Sequence, residues 1–376
     1  MSVFESAAAR GNTLSVAILG AGGTVAPAIV CDLAESPEAN ELVLLDIDLA
    51  KAQATADKFG GGKAIAMQLD ARNPRAMANA LDDIDVLVNA ADHRINPYAM
   101  RACLEVGSCY IDLGGLYWMT QQQLGLDQMF RDAGLLALLG MGAAPGMTNV
   151  MAAVATAALG GIAERIDVTA GACDLESPNG FAPPYAVEAL IDELTQKPVV
   201  LRSSEPLELE PLTDAGIVDF PEPIGEAPAI YTLHSELLTF GSSFGCSECS
   251  FRLSLDPALR ARMIELAEAT EDERRAAADA ARPSSKTVSV HMVDAYYADR
   301  HARVACKTSP VERWGMGGSI VATAAPAAAA VRLLARGQLH STGALPPEAC
   351  VDGAELFVEL EGRGAEFSVA ESVGRA

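Results

Sequence analysis

Basic residues are scarce in this sequence. Lys and Arg number 27 against 50 Asp and Glu, a formal net charge of -23. Such a chain repels phosphate backbones, and nucleic acid is excluded as a partner. The acidity reads as solubility, since charged residues are only 20 %. The eight cysteines give no framework either. Cys246 and Cys249 form the one close pair, with no second pair or His-x-His nearby, so no metal site is read. Several of the others sit in apolar patterns, as small buried hydrophobes do. The first thirteen residues lack a basic region followed by a long apolar stretch, so no secretory leader is expected. Residues 133–163 carry no charge over a length that would span a bilayer. Gly140, Gly142, Pro145, Gly146 and Asn149 interrupt that run, which fits a buried strand, a tight turn and a packed helix better. No membrane partner is read, and a cytoplasmic protein is expected. Repeats and low-complexity tracts are lacking, apart from short Ala runs.

What is present suffices for two packed domains: 376 residues, half of them apolar. Apolar runs at 14–19, 41–46, 64–70, 85–90, 109–113 and 135–140 read as strands. Helical patterns at 24–34, 49–59, 74–81 and 97–106 alternate with them. That alternation predicts βαβ units in a parallel sheet covered on both faces. After residue 163 the pattern changes. Strands are expected at 167–172, 199–202, 229–232, 249–255, 287–297 and 303–308. Residues 178–184 read as a loop, 206–228 as irregular connection, and 258–282 as one solvated helical stretch. A long Ala-rich helix is expected over 319–336. The fold class is therefore α/β: a Rossmann doubly wound parallel sheet with a second α+β domain carrying a mixed sheet. The expected layout is a dinucleotide-binding domain over 1–146, a substrate and oligomerisation domain over 147–312, and C-terminal helices over 313–376 returning to the first domain.

The glycine loop carries the first chemistry. Gly20, Gly23 and Ala26 fit Gly-x-x-Gly-x-x-Ala, and Gly20 and Gly22 fit the first half of Gly-x-Gly-x-x-Gly, with Val25 in the third place. The loop follows a strand and opens a helix, the context in which it binds a pyrophosphate. Gly20 allows the tight turn, and Gly22 or Gly23 lets the backbone approach the phosphates. Thr24 and Val25 begin a helix whose free N–H groups face them. Asp46 ends the second strand, where an acid accepts hydrogen bonds from the adenosine ribose and repels the extra phosphate of NADP. NAD is therefore the expected cofactor, with NADP second. Asp70, Asn89, Ala90, Ala91 and Asp112 end the third, fourth and fifth strands and join the cofactor-lining candidates.

These residues, with ILGAGGTVAPAIV, LLDIDLAKA, DVLVNAA, ACLEVGSCYIDLGG, LLGMGAAPGMTNVMA, YTLHSE and the LPPE-containing tail, resemble the saccharopine dehydrogenase-like superfamily, most nearly its lysine 6-dehydrogenase type. The resemblance covers nearly the whole chain. It implies hydride transfer between a nicotinamide and the carbon of a C–N bond, and it places Pro145 and Gly146 beside the nicotinamide. It also implies a homodimer or homotetramer acting on a small amino acid or amine. The Asp92-His93-Arg94 triplet departs from the apolar or aromatic residues often found there.

His234 and Glu236 stand in a short polar motif suited to proton transfer, since an amine must lose a proton before it yields hydride. His93, with Asp92, is the rival acid–base pair. A substrate carboxylate needs a cationic partner, and Arg94, Arg252 and Arg313 are candidates. The helix start at Gly317-Gly318-Ser319 offers N–H groups for the same purpose. Tyr117 and Tyr231 complete the substrate-lining set. Three functions remain open on the sequence: NAD-dependent oxidation of the terminal amine of lysine, reductive condensation of the saccharopine reductase or carboxynorspermidine dehydrogenase kind, and a non-catalytic NAD-binding regulator.

Overall fold

The computed structural model describes residues 11–176 and 181–373. Most of the segment read for a leader, and residues 178–180 of the expected loop at 178–184, lie outside the described residues. The chain divides into two compact units, Met1–Gly146 with Thr323–Leu356, and Met147–Ala322 with Phe357–Ala376.

The first unit is built on β1 (Leu14–Leu19), β2 (Ala39–Asp46), β3 (Ala64–Gln68), β4 (Val86–Asn89), β5 (Cys109–Asp112), β6 (Leu136–Leu138) and β15 (Gly343–Leu345). These seven strands lie in the order β15-β6-β5-β4-β1-β2-β3. Every pairing is parallel. β1 and β4 are buried along their whole length, as strands covered on both faces must be. The strand order reverses between β1 and β4, which places a crevice at their carboxyl ends. Two helices that the periodicity does not announce, Leu116–Leu124 and Asp127–Ala133, precede β6. Their sequence, LYWMTQQQLGLDQMFRDA, is too mixed to show one clear apolar stripe.

The second unit holds a nine-stranded sheet. Its path runs from β10 (Asp214–Asp219) through β11 (Glu226–Tyr231), β12 (Glu248–Ser254), β7 (Arg165–Asp174), β13 (Thr287–Tyr297) and β14 (Arg300–Thr308) to β16 (Ala365–Val373). β8 (Val199–Arg202) and β9 (Glu205–Glu208) join at β12. β12 and β7 are parallel, and the neighbouring pairs are antiparallel, so the sheet is mixed.

Four expectations need correction. Residues 206–228 are not irregular, because most of β9, all of β10 and the start of β11 lie there. Pro228 is tolerated since β11 reaches β12 only through Ile230 and Tyr231. The stretch 258–282 is two helices, Pro257–Ala267 and Glu271–Ala280, separated where Thr270 forms a capping box with Glu273. Helices Val187–Thr195 and Glu236–Phe244 lie in a region read as nearly all sheet. The tail 313–376 does not return whole to the first unit. Residues 323–356 belong there, whereas β16 pairs along its full length with β14 of the second. The run AEFSVAESV alternates as a half-buried strand does, and this outweighs its place at the end of a helical stretch.

Helix Gly318–Ala335 is long and apolar enough to cross a membrane, yet 94 % of that window is buried inside the protein. Near its end Arg332 donates to Asp32 on helix Ala26–Glu35 at 2.9 Å, with both side chains buried. Arg336 donates to Glu38 at 2.7 Å one turn on. Removing one partner of a buried pair strands the other charge in the interior. Arg332→Ala is therefore expected to cost about 3–5 kcal/mol, read as a lower denaturant midpoint. Replacing Arg332 and Asp32 together by Met and Leu is expected to recover most of that loss.

Candidate active site

In the first unit the chain leaves β1 at Gly20 with φ +78. A Cβ there would lie 2.7 Å from the backbone of Ala91, so both conformation and space demand glycine. The N–H of Gly23 donates to the Gly20 carbonyl at 2.9 Å and closes the turn. The helix begins at Ala26, with Val25 as its N-cap. Gly22, Gly23 and Thr24 reach solvent, while Val25 is buried. Asp46 is tied to this loop. One carboxylate oxygen accepts from Gly22 N–H at 2.8 Å and the other from Asp48 N–H at 2.9 Å. Ala90 N–H continues the ladder to the Leu19 carbonyl at 2.9 Å. Gly20, Gly22, Gly23, Thr24, Asp46, Ala90 and Ala91 thus gather at the ends of β1, β2 and β4, around the point where strand order reverses. Asp70 is exposed at the edge beside them and bridged by Arg72 at 3.1 Å, which holds its carboxyl below the usual range.

Asn89 and Asp112 serve the interior. The Asn89 amide donates to Asn96 Oδ1 at 2.9 Å, and Asn96 donates on to Asp112 at 3.2 Å. Asp112 also accepts from Gln123 at 2.5 Å and from the N–H groups of Gly114 and Gly140 at 2.9 and 2.7 Å. Burial raises its carboxyl above the ordinary value although these donors oppose the shift. One side chain therefore fixes the turns after both β5 and β6. Between those turns sits Pro145. A Cβ on Gly114 or on Gly140 would come within 2.8 Å of its ring. Pro145 and Gly146 are buried, and Ala144 is the half-exposed residue of the turn. Asn96 and Gln123 are the members of this network that the sequence pattern did not single out.

The remaining candidates of this unit are less committed to a site. Asp92 accepts from the N–H of Arg94 at 2.8 Å and from its guanidinium at 2.9 Å. His93, half-buried in the same 3-10 turn, stands 3.8 Å from Asp92, too far for a tight acid–base pair. Tyr117 is buried against Trp118, with ring centroids 4.8 Å apart.

In the second unit His234 and Glu236 lie in a buried polar cluster. Helix Met147–Ala158 brings Thr148, whose hydroxyl donates to Glu236 Oε1 at 2.9 Å. His234 Nδ1 faces Glu236 Oε2 at 3.4 Å, and its Nε2 faces Glu193 Oε2 at 3.6 Å. Glu193, from helix Val187–Thr195, also accepts from the Tyr185 hydroxyl at 2.5 Å. The His234 ring stacks on Phe251 of β12 at 3.4 Å. Burial alone would lower the pKa of His234, but Glu236 and Glu193 outweigh it and raise it to about 9. Glu193 is absent from the sequence-derived set. Its signal was a carboxylate beside the buried stripe Val187, Leu190, Ile191 and Leu194.

Tyr231 and Arg252 are directly opposite each other on β11 and β12. Residues so paired share a face, and Phe251, their neighbour, points to the other. They therefore lie across the sheet from His234. Arg313 is exposed in a 3-10 turn, its guanidinium 4.9 Å from the Trp314 ring. The turn at Gly317 and Gly318 is packed tightly, and a Cβ on either would strike the backbone of Ser284 or Thr308.

A histidine held at about 9, against an ordinary 6.5, contributes stability that is complete below pH 6.5 and lost as pH rises through 9. Unfolding free energy measured between these two pH values is expected to fall, and His234→Gln should flatten that fall.

Residues 16–138 match the family model described as the saccharopine dehydrogenase NADP binding domain. Carboxyaminopropylagmatine dehydrogenase from Synechocystis sp. is 30 % identical over 233 residues, 59 % of this chain and 57 % of that protein. The match thus spans little more than half of that relative. Two solved structures share the fold over 96 % of this chain. Saccharopine dehydrogenase (L-Glu forming) from Saccharomyces cerevisiae has a TM-score of 0.70 at 14 % identity and is covered over its whole length. Homospermidine synthase from Legionella pneumophila, in complex with NAD, has a TM-score of 0.72 at 13 % identity with 91 % of that chain covered. Residues 16–138, on the parallel sheet and glycine loop of the first unit, thus match a nicotinamide dinucleotide-binding domain of the saccharopine dehydrogenase type.

Proposed function

We propose that the protein is a nicotinamide-dependent oxidoreductase that forms a C–N bond reductively between an amine of the polyamine-precursor class and an aldehyde. The carrying observation is the charge of the buried cluster. The carboxyl groups of Glu193 and Glu236 face the two nitrogens of the single His234 imidazole, two acidic groups to one basic group in the interior. A buried charge needs a partner, and a cationic amine supplies one. The name of the Synechocystis relative points to the same substrate class. Lysine 6-dehydrogenation, the direction suggested by sequence resemblance, is the alternative outcome.

Condensation joins the amine to the aldehyde as an imine and releases water. Reduction then adds a hydride to the imine carbon and a proton to nitrogen. The nicotinamide, when bound, supplies the hydride. Gly20, Gly22 and Gly23 would hold its pyrophosphate, and Asp46 its adenosine ribose. The Glu193–His234–Glu236 cluster holds the ammonium end of the substrate by charge. Asp112 positions the turns at Gly114 and Gly140 that clasp Pro145.

Two measurements test this. Oxidation of reduced nicotinamide should require both agmatine, or 1,4-diaminobutane, and an aldehyde that carries an amino acid group. Reduction of NAD by lysine alone would establish the alternative, and no turnover with either would leave a nicotinamide-binding regulator. NAD should be preferred over NADP, and Asp46→Ala should narrow the preference by roughly five- to tenfold through loss of one charge repulsion.

A further inference from the structure

His291 belongs to none of the roles assigned so far. It lies in the middle of β13, inside the apolar run Val288 to Val293, and is 7 % exposed. Its neighbours across the sheet are Ala170 of β7 and Cys306 of β14, both small. The same strand is packed by helix Met147–Ala158, which carries Thr148 to Glu236. His291 lies within the electrostatic reach of both Glu236 and His234.

The two histidines of this cluster differ in what they have left to offer. His234 has both nitrogens buried, each turned to a carboxylate, and its ring is covered by Phe251. It has no edge for a substrate. His291 Nδ1 is buried with no hydrogen-bond partner among the described residues. Glu236 Oε2 likewise has no hydrogen bond there, only its charge contact with His234. A buried acceptor without a donor is costly, and two of them in one cluster call for a ligand that brings several donors. Thr232, two residues before His234, adds a third buried polar atom, its hydroxyl, without a hydrogen bond among the described residues.

We propose that His291, as a neutral imidazole, and Glu236 together form the subsite that receives the primary ammonium group of the substrate, with His234 as a positioning residue that fixes Glu236. This rests on the proposed amine substrate. An ammonium group has three N–H donors and one positive charge. It can give one hydrogen bond to His291, one to Glu236 Oε2 and one to Thr232, and its charge complements the excess of acidic groups. An alcohol of the same shape supplies no charge and only one donor.

Protonation of the imidazole closes the subsite. Burial pushes His291 down to about 4, Glu236 raises it and His234 lowers it further. Cys306, opposite it on β14, is held up to about 12 by burial and stays neutral. His291 is therefore neutral around pH 7 and becomes a competing cation as pH falls toward 4.

The test is calorimetric titration of the full-length protein with 1,4-diaminobutane, beside a titration with reduced nicotinamide dinucleotide. His291→Leu should weaken diamine binding about tenfold or more, the loss of one hydrogen bond to a charged group, and leave the dinucleotide affinity unchanged. His291→Gln retains an acceptor and should restore most of the affinity. Wild-type diamine affinity should also fall between pH 6 and pH 4 more steeply than that of His291→Gln, a readout that holds even where the leucine variant fails to fold. Equal diamine affinity and equal pH dependence in wild type and variants would overturn the subsite while leaving the reaction intact. A wild type that binds no diamine, yet reduces NAD with some other amine, would overturn the polyamine reading and the subsite with it.

Discussion

The buried pair between Arg332 and Asp32 holds the first unit together across a separation of 300 residues. The nucleotide-binding sheet is not complete when the chain leaves it at Gly146. Its last strand, β15, arrives only after residues 147–322 of the second unit, and pairs with β6 through Gly343, Ala344 and Leu345. Three residues of ladder are a weak tether. Helix Gly318–Ala335 supplies the rest, and it is almost featureless: Ala, Val and Leu give it apolar area but little to fix its rotation or its register. Arg332 is the one charged side chain in its length. It gains its full interaction only when that face meets Asp32, and Arg336 with Glu38 repeats the selection at the next turn. A buried ion pair is a poor source of net stability but an effective way of choosing one packing among several near-equal apolar ones.

The second unit faces the opposite problem. Its interior holds a buried cluster of ionisable side chains. Thr148, Tyr185, Glu193, His234, Glu236 and His291 come from three helices or their flanks, one strand and one connection, and no two successive ones are close in sequence except His234 and Glu236. The pair Glu193 and Glu236 would repel without His234 between them. His234 in turn would be neutral in so buried a place without the two carboxylates. His234 is held in its charged form by the two glutamates, so the cluster is a unit rather than a set of independent residues. Stacking on Phe251 keeps the imidazole plane fixed while both of its edges are occupied.

The cofactor half was legible because its requirements are backbone requirements. Gly20 must be glycine for its φ and for the approach of Ala91, and such a demand leaves its mark at a fixed offset from an apolar strand. Alternation of apolar runs with helical periods gave the parallel order for the same reason. The second half was legible only in part. The motif around His234 and Glu236 drew notice as an isolated polar stretch, but Glu193 and His291 lie inside ordinary amphipathic or apolar patterns. Nothing local marks a histidine in VSVHMV as lying within the electrostatic reach of Glu236, because the two are brought together only by a sheet whose strand order runs β12-β7-β13. Asp112 shows the converse limit. Its position at a strand end suggested the cofactor, whereas its oxygens are taken by Gly114, Gly140, Gln123 and Asn96.

This difference also accounts for where similarity is found. A pyrophosphate is the same in every nicotinamide enzyme, and the atoms that meet it are N–H groups held by a turn. Glycines at set positions are therefore shared, and the matched family model lies over 16–138. The second unit is asked for a different thing: a mixed sheet stiff enough to hold a buried charge, and side chains suited to one substrate. The sheet can be built from many sequences, since it needs only alternation and volume, which is why solved chains at 13–14 % identity superpose with TM-scores of 0.70 and 0.72. The side chains in the cluster are then free to follow the substrate. A change at position 291 leaves the glycine loop and Asp46 untouched, because these belong to the backbone of another unit. On the proposed function, substrate choice is separable from cofactor choice: the first would be written in the side chains of β13 and the helix that opens at Glu236, the second in the turn after β1 and the acid that ends β2.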